Sequence, residues 1–133
     1  MAVVLAHNPA RPISGLQDVG GLMPVPEWEA VFGRSTSANG RPVLEVSGEI
    51  DLAVAPRFAN ELASLVDAAD GEAVVDLASV GFMDSSGVRE LLIANRAAVD
   101  TGGVLVLRAP SEQCRHVLRV SGALSEFQVQ DHE

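Results

Sequence analysis

Residues 74–92 of this chain read VVDLASVGFMDSSGVRELL. A short β-branched run ends in Asp-Ser-Ser-Gly and passes straight into a helical period, so the segment predicts a strand, a sharp junction and a helix in that order. The junction puts Asp84, Ser85 and Ser86 at a helix start. There the first N–H groups lack partners within the helix, and the helix dipole favours negative charge.

Trp28, Ala30 and Phe32 alternate with polar residues, Ser37-Ala38-Asn39-Gly40 carries an Asn-Gly turn signal, and Pro42 to Val46 alternates again. Together these predict an antiparallel hairpin. Ser47 to Asp51 reads as a break, after which Pro56 opens a helix with Phe58, Leu62, Leu65, Val66 and Ala69 on one face and Gly71 as its stop. Ala73 to Leu77 reads as an inner strand, apolar on both faces until Asp76. The next helix is expected from Ser86 to Val99, with Val88, Leu91, Leu92, Asn95, Ala98 and Val99 inward and Gly102-Gly103 ending it. Val104 to Leu107 is a strand, and Pro110-Ser111 opens a third helix burying Cys114, Val117 and Leu118. Phe127 to Val129 is a weak last strand. The order ββαβαβα(β) predicts an α/β fold whose middle strands run parallel, with helices packed against the sheet.

The full length of 133 residues fits one domain. Residues 1–26 hold four prolines and three glycines and no sustained period, so they read as a tail, mobile or laid over the surface, ahead of a domain at 27–133. The net charge is −9 and every basic residue is arginine. Such an acidic chain is repelled by a phosphate backbone, which argues against nucleic acid. Cys114 is the only cysteine, so no intrachain disulfide forms, and a reducing, cytoplasmic setting is expected. The opening apolar run is too short for a signal peptide and no later run reaches the length of a membrane span.

In a parallel sheet the loops leaving the carboxyl ends of the strands share one edge. Gly48–Asp51, Gly81–Gly87 and Ala109–Ser111 are therefore expected to converge, gathering Glu49, Asp51, Asp84, Ser85 and Ser86. Taken alone, Asp-Ser-Ser-Gly is an ordinary helix cap with a tight turn, and Asp51 an ordinary turn cap. A phosphate on Ser85 is compatible with that capping.

The longer pattern carries more. V-V-D-L, then F-M-D-S-S-G at 82–87 and a hydrophobic helix, closely resembles the phosphorylation region of the STAS domain of bacterial anti-sigma factor antagonists. Gly48-Glu49-Ile50-Asp51 resembles that family's second motif, G-E-[LI]-D. The resemblance covers roughly residues 41–125 and implies a single STAS-like domain, a mixed sheet of four to five strands with helices on one side. It implies Ser85 as phosphoacceptor, Ser86 beside it as cap or local hydrogen-bonding group, Gly87 as the next neighbour, and Glu49, Asp51 and Asp84 flanking the site toward a partner. The implied mechanism is partner switching. The unphosphorylated chain binds an anti-sigma factor that is also a serine kinase and frees the sigma factor; phosphorylation releases the chain, and a phosphatase restores it. After the glycine the family usually continues Leu-Gly, whereas Val88-Arg89-Glu90 stands here. Arg89 lies one helical turn beyond Ser85, spaced to pair with a phosphate there or with Asp84 or Glu90, or it is simply part of a solvated helix face. The departure bears on partner identity.

Catalysis has little support. His7, His116 and His132 are all remote in sequence from Ser85, Ser85 lacks a G-x-S-x-G elbow, and no Gly-rich phosphate loop or metal-spaced Cys/His set occurs. No cofactor or metal is expected, and the chain is read as a kinase and phosphatase substrate, not an enzyme. Two other readings stand beside the switch: a STAS scaffold that binds its partner without phosphorylation, and a small-ligand or nucleotide module using the same helix start.

Overall fold

The computed structural model describes residues 25–131. The segment read as a tail therefore lies, up to residue 24, outside the described residues. The elements run β1 (Val31–Thr36), β2 (Pro42–Ile50), α1 (Ala55–Ala68), β3 (Glu72–Met83), α2 (Ser85–Asp100), β4 (Val104–Arg108), α3 (Glu112–Val120), a 3₁₀ turn (Leu124–Glu126) and β5 (Gln128–Gln130).

They build a five-stranded mixed sheet in which spatial order follows chain order. β1 pairs antiparallel with β2 through the Ser37–Gly40 turn, and every later pair is parallel. Each parallel step crosses through a helix or helix and turn, so the helices pack against the same face. That face holds the main core: Leu44, Val75 and Leu107 from successive strands meet Phe58 of α1, Leu91 of α2 and Leu118 of α3. Phe32 stacks on Phe58 with ring centroids 6.0 Å apart. The opposite face carries a shorter cross-strand row, Val43, Val74 and Val106, all buried. Its next row pairs Asp76 with Arg108, whose Nε and Nη2 donate to Asp76 Oδ2 at 3.0 and 2.8 Å. The expectation of helices on one side of a mixed sheet is met.

Several element boundaries, and one buried stripe, differ from the sequence reading. The first strand starts at Val31, because Glu27–Ala30 is taken up in a turn in which Glu29 N donates to Pro26 O. β2 does not break at Ser47. It runs to Ile50 through register shifts at Glu45/Ser47 and Gly48/Glu49, at each of which β3 carries one extra residue, and Gly48 takes φ +91° at the second. β3 does not end at Leu77 but continues to Met83. The inward stripe of α2 is Gly87, Val88, Leu91, Ala94 and Ala98, while Val99 is 56% exposed. Val88, Leu91 and Ala98 are buried as expected, but small Gly87 and Ala94 take the places read for Leu92, Asn95 and Val99. On α1 the face with Phe58, Leu62 and Leu65 is buried as expected, but the helix stops at Ala68 and Ala69 becomes its cap.

Candidate functional site

The site grows from the paired carboxyl ends of β2 and β3. Glu49 stands opposite Phe82 and Ile50 opposite Met83, and the ladder gains one more bond as Asp84 N donates to Ile50 O at 3.2 Å. The Gly48–Asp51 and Gly81–Gly87 segments are thus held side by side. The third loop stops lower. β4 ends at Arg108, opposite Asp76, and Ala109 at φ +51° turns the chain into α3 alongside Leu77–Val80. The expected convergence therefore involves two loops at the edge and a third beneath them.

Asp84 sits in extended backbone as the N-cap of α2, and its Oδ1 accepts from Ser86 N at 2.9 Å. Its carbonyl accepts from Gly87 N at 3.1 Å and Val88 N at 3.3 Å. Two of the helix-start donors expected to be open are therefore already occupied by Asp84. Ser85, the first helical residue, is exposed, and Ser86 is half-buried. Gly87 is buried. A Cβ there would meet Met83 Cγ at 2.7 Å and Ile50 Cγ2 at 3.0 Å, so the glycine lets α2 seat directly on the ends of both strands.

Asp51 is only 7% exposed. Its Oδ1 accepts from Val54 N at 3.2 Å and its carbonyl from Val54 N and Ala55 N, which makes it the cap of the turn entering α1. Glu49 is half-buried, with its N–H donating to Trp28 O at 2.9 Å. Arg89 is exposed one turn beyond Ser85. Beside these polar groups stand two exposed apolar side chains, Leu52 at 75% and Phe82 at 39%. The arrangement leaves Ser85 exposed at a capped helix start, on the sheet edge that also carries Glu49, Asp51 and Asp84. Among the described residues no group of side chains is arranged to hold a metal ion.

One residue of the site escaped the sequence reading. Gln113 of α3 accepts from Met83 N at 2.7 Å through Oε1 and donates to Met83 O at 3.1 Å through Nε2. The signal that points there is indirect: a strand longer than its neighbour leaves backbone groups that something else must satisfy. Cys114, read as a small apolar core residue, is fully buried, and burial pushes its thiol pKa up. None of the described helices is long and apolar enough to cross a membrane.

A family model described as "Mlab, STAS domain" matches residues 34–125. BtrV of Bordetella bronchiseptica, assigned as an anti-sigma factor antagonist, is 31% identical over 91 residues, covering 68% of this chain and 78% of its own. Among solved structures, an anti-sigma factor antagonist from Mycobacterium paratuberculosis superposes with a TM-score of 0.68 at 24% identity, covering 81% of this chain and 90% of that one. The unphosphorylated form of the antagonist SpoIIAA gives 0.61 at 24% identity over 74% and 87%. The phosphorylated form of the Bacillus protein gives 0.57 at 23% over 74% and 90%. These likenesses show a shared fold. The family match runs from within β1 to the 3₁₀ turn, short of β5, and takes in both edge motifs, and on that ground the chain belongs to the STAS domain family.

Proposed function

We propose that this protein is an anti-sigma factor antagonist that works as a partner switch. Unphosphorylated, it binds an anti-sigma factor with serine-kinase activity and frees the sigma factor. The kinase then phosphorylates Ser85 from ATP, the complex separates, and a phosphatase resets the chain, which acts as substrate throughout and not as enzyme. The observation that carries this reading is the exposed Ser85 at the first position of α2, behind the Asp84 cap and beside Glu49 and Asp51. A phosphate there adds about −1.5 to −2 charges to an edge that already holds three carboxylates. The added repulsion and desolvation weaken a docked complex with no refolding of the domain. A loss of about 3 kcal/mol corresponds to roughly a hundredfold in affinity. The anion-binding alternative is disfavoured because Ser86 N and Gly87 N already have partners.

The test is a pull-down from host lysate with wild type, Ser85→Ala and Ser85→Glu, the retained chains identified by mass spectrometry. Wild type and Ser85→Ala are expected to retain an anti-sigma-type kinase, and Ser85→Glu to lose it by about a hundredfold in affinity. Equal retention by Ser85→Ala and Ser85→Glu would sink the switch and favour a scaffold that is not phosphorylated.

A further inference from the structure

β3 outruns its neighbour. β4 pairs with it only from Glu72 to Asp76, which leaves the backbone from Leu77 to Met83 without a strand on that side. The start of α3 takes over the missing edge. Ser111 N donates to Leu77 O at 3.3 Å, Ser111 Oγ donates to Val80 O at 2.7 Å, and Gln113 closes the row at Met83. A side-chain amide holds an acceptor and a donor side by side, so Gln113 meets both main-chain groups of one residue, as a strand would. On the other side Met83 stands opposite Ile50 in the ladder with β2. Met83 is fully buried and directly precedes the cap Asp84 and then Ser85.

We propose that Gln113 is a positioning residue for Ser85. By fixing the Met83 peptide groups from α3, its amide sets the height and direction at which the Ser85 hydroxyl is presented. The inference rests on Ser85 being the phosphoacceptor. In that transfer an Oγ–P bond forms at Ser85 and the bond from the γ-phosphorus of ATP to its bridging oxygen breaks, releasing ADP. The serine proton goes to a base of the kinase. Such a step is sensitive to placement of the attacking oxygen, and small displacements reduce the rate by factors of ten to a hundred. Removing the amide frees Met83 N–H and O together, in a part of the chain where no strand stands ready to replace it.

The experiment compares the full chain as wild type, Gln113→Ala, Gln113→Glu and Arg115→Ala. Arg115 lies on the same helix in an ion pair with Asp131, away from Met83. Backbone amide exchange followed by NMR needs no partner. It is expected to quicken about tenfold at Met83 and the following helix start in Gln113→Ala, with core amides such as Val75 and Leu107 unchanged. Gln113→Glu keeps an acceptor for Met83 N but turns a second oxygen toward Met83 O, so exchange there quickens as well. With the kinase retained by wild type and labelled ATP, kcat/KM for Ser85 falls about tenfold in Gln113→Ala while KM for ATP and the Arg115→Ala rate stay as in wild type. Unchanged exchange at Met83, or exchange that quickens equally across the core, overturns the inference; if Gln113→Ala fails to fold, Gln113→Glu decides by the same criteria. A wild-type chain that the captured kinase leaves unlabelled overturns the Ser85 reading and Gln113's part in it, while the exchange data still report whether the amide holds the loop.

Discussion

At Asp84 one side-chain oxygen accepts from Ser86 N at 2.9 Å, so the residue ahead of the modification site is also the structural start of its helix. Removing that acceptor strips a cap, which costs about 1 kcal/mol, whereas asparagine caps as well as aspartate. Asp84→Ala is therefore expected to lose about 1 kcal/mol in urea unfolding and Asp84→Asn only a few tenths. Equal stability of Asp84→Ala and wild type would show that the cap contributes nothing. If Asp84→Asn, close to wild type in stability, still binds the partner differently, the negative charge of Asp84 belongs to the interface and its geometry to the fold. Asp51's role was readable in the sequence because capping is settled within two or three residues of the cap, whereas the sequence reading favoured Ser86 as the cap of α2 and the structure gives that role to Asp84, with Ser86 N as its donor. Gln113 was not readable, because its partner lies 30 residues away and the bond exists only once α3 has docked along β3.

The strands show where local pattern reading stops. Past Leu77 the chain buries Val80 and Met83 and exposes Ala78, Ser79, Gly81 and Phe82, a spacing of three that resembles neither a strand nor a long helix. The spacing follows from two bulges in β3, where Asp76 to Ser79 spans only Glu45 to Ser47 of β2 and Val80 to Phe82 spans only Gly48 to Glu49. Facing the second of them on β2 is Gly48, at φ +91°, where a Cβ would stand 2.2 Å from Glu29 O. Gly40 in the β1–β2 turn has a similar φ of +85° but nothing within 4 Å of the same position. The two glycines therefore separate backbone strain from packing. Gly40→Ala should lower stability by about 1–2 kcal/mol from the left-handed backbone alone. Gly48→Ala adds a clash with main chain that has to move, for a total of about 2–5 kcal/mol and a melting temperature lower by about 10 °C or more. Thermal unfolding of both variants decides the matter. Equal losses would mean that the Glu29 segment yields freely and does not brace the bulge beneath the site.

Across the whole molecule, one core joins the sheet to all three helices, and Cys114 lies inside it, fully buried between α3 and β3. Desolvation raises its thiol pKa, outweighing the side-chain and backbone hydrogen bonds to Ser111 that lower it, so the native state holds the neutral form. In the unfolded chain the thiol titrates near its ordinary value of about 8.5. Above that pH the unfolded state binds fewer protons than the native state, and stability falls as pH rises through the interval between the unfolded and native values. Below the interval the contribution is fully present. Its slope is at most about 1.4 kcal/mol per pH unit. Other groups also titrate in alkali, so the informative quantity is the difference in unfolding free energy between wild type and Cys114→Ala. That difference is expected to hold steady from pH 6 to about 8 and to shrink from there toward pH 10. Over the same range a thiol reagent should label Cys114 no faster than the domain opens, since a buried neutral thiol is a poor nucleophile. A stability difference that stays flat to pH 10, or labelling at the rate of a free thiol, would place Cys114 in contact with solvent and outside the core that seats α3 against β3.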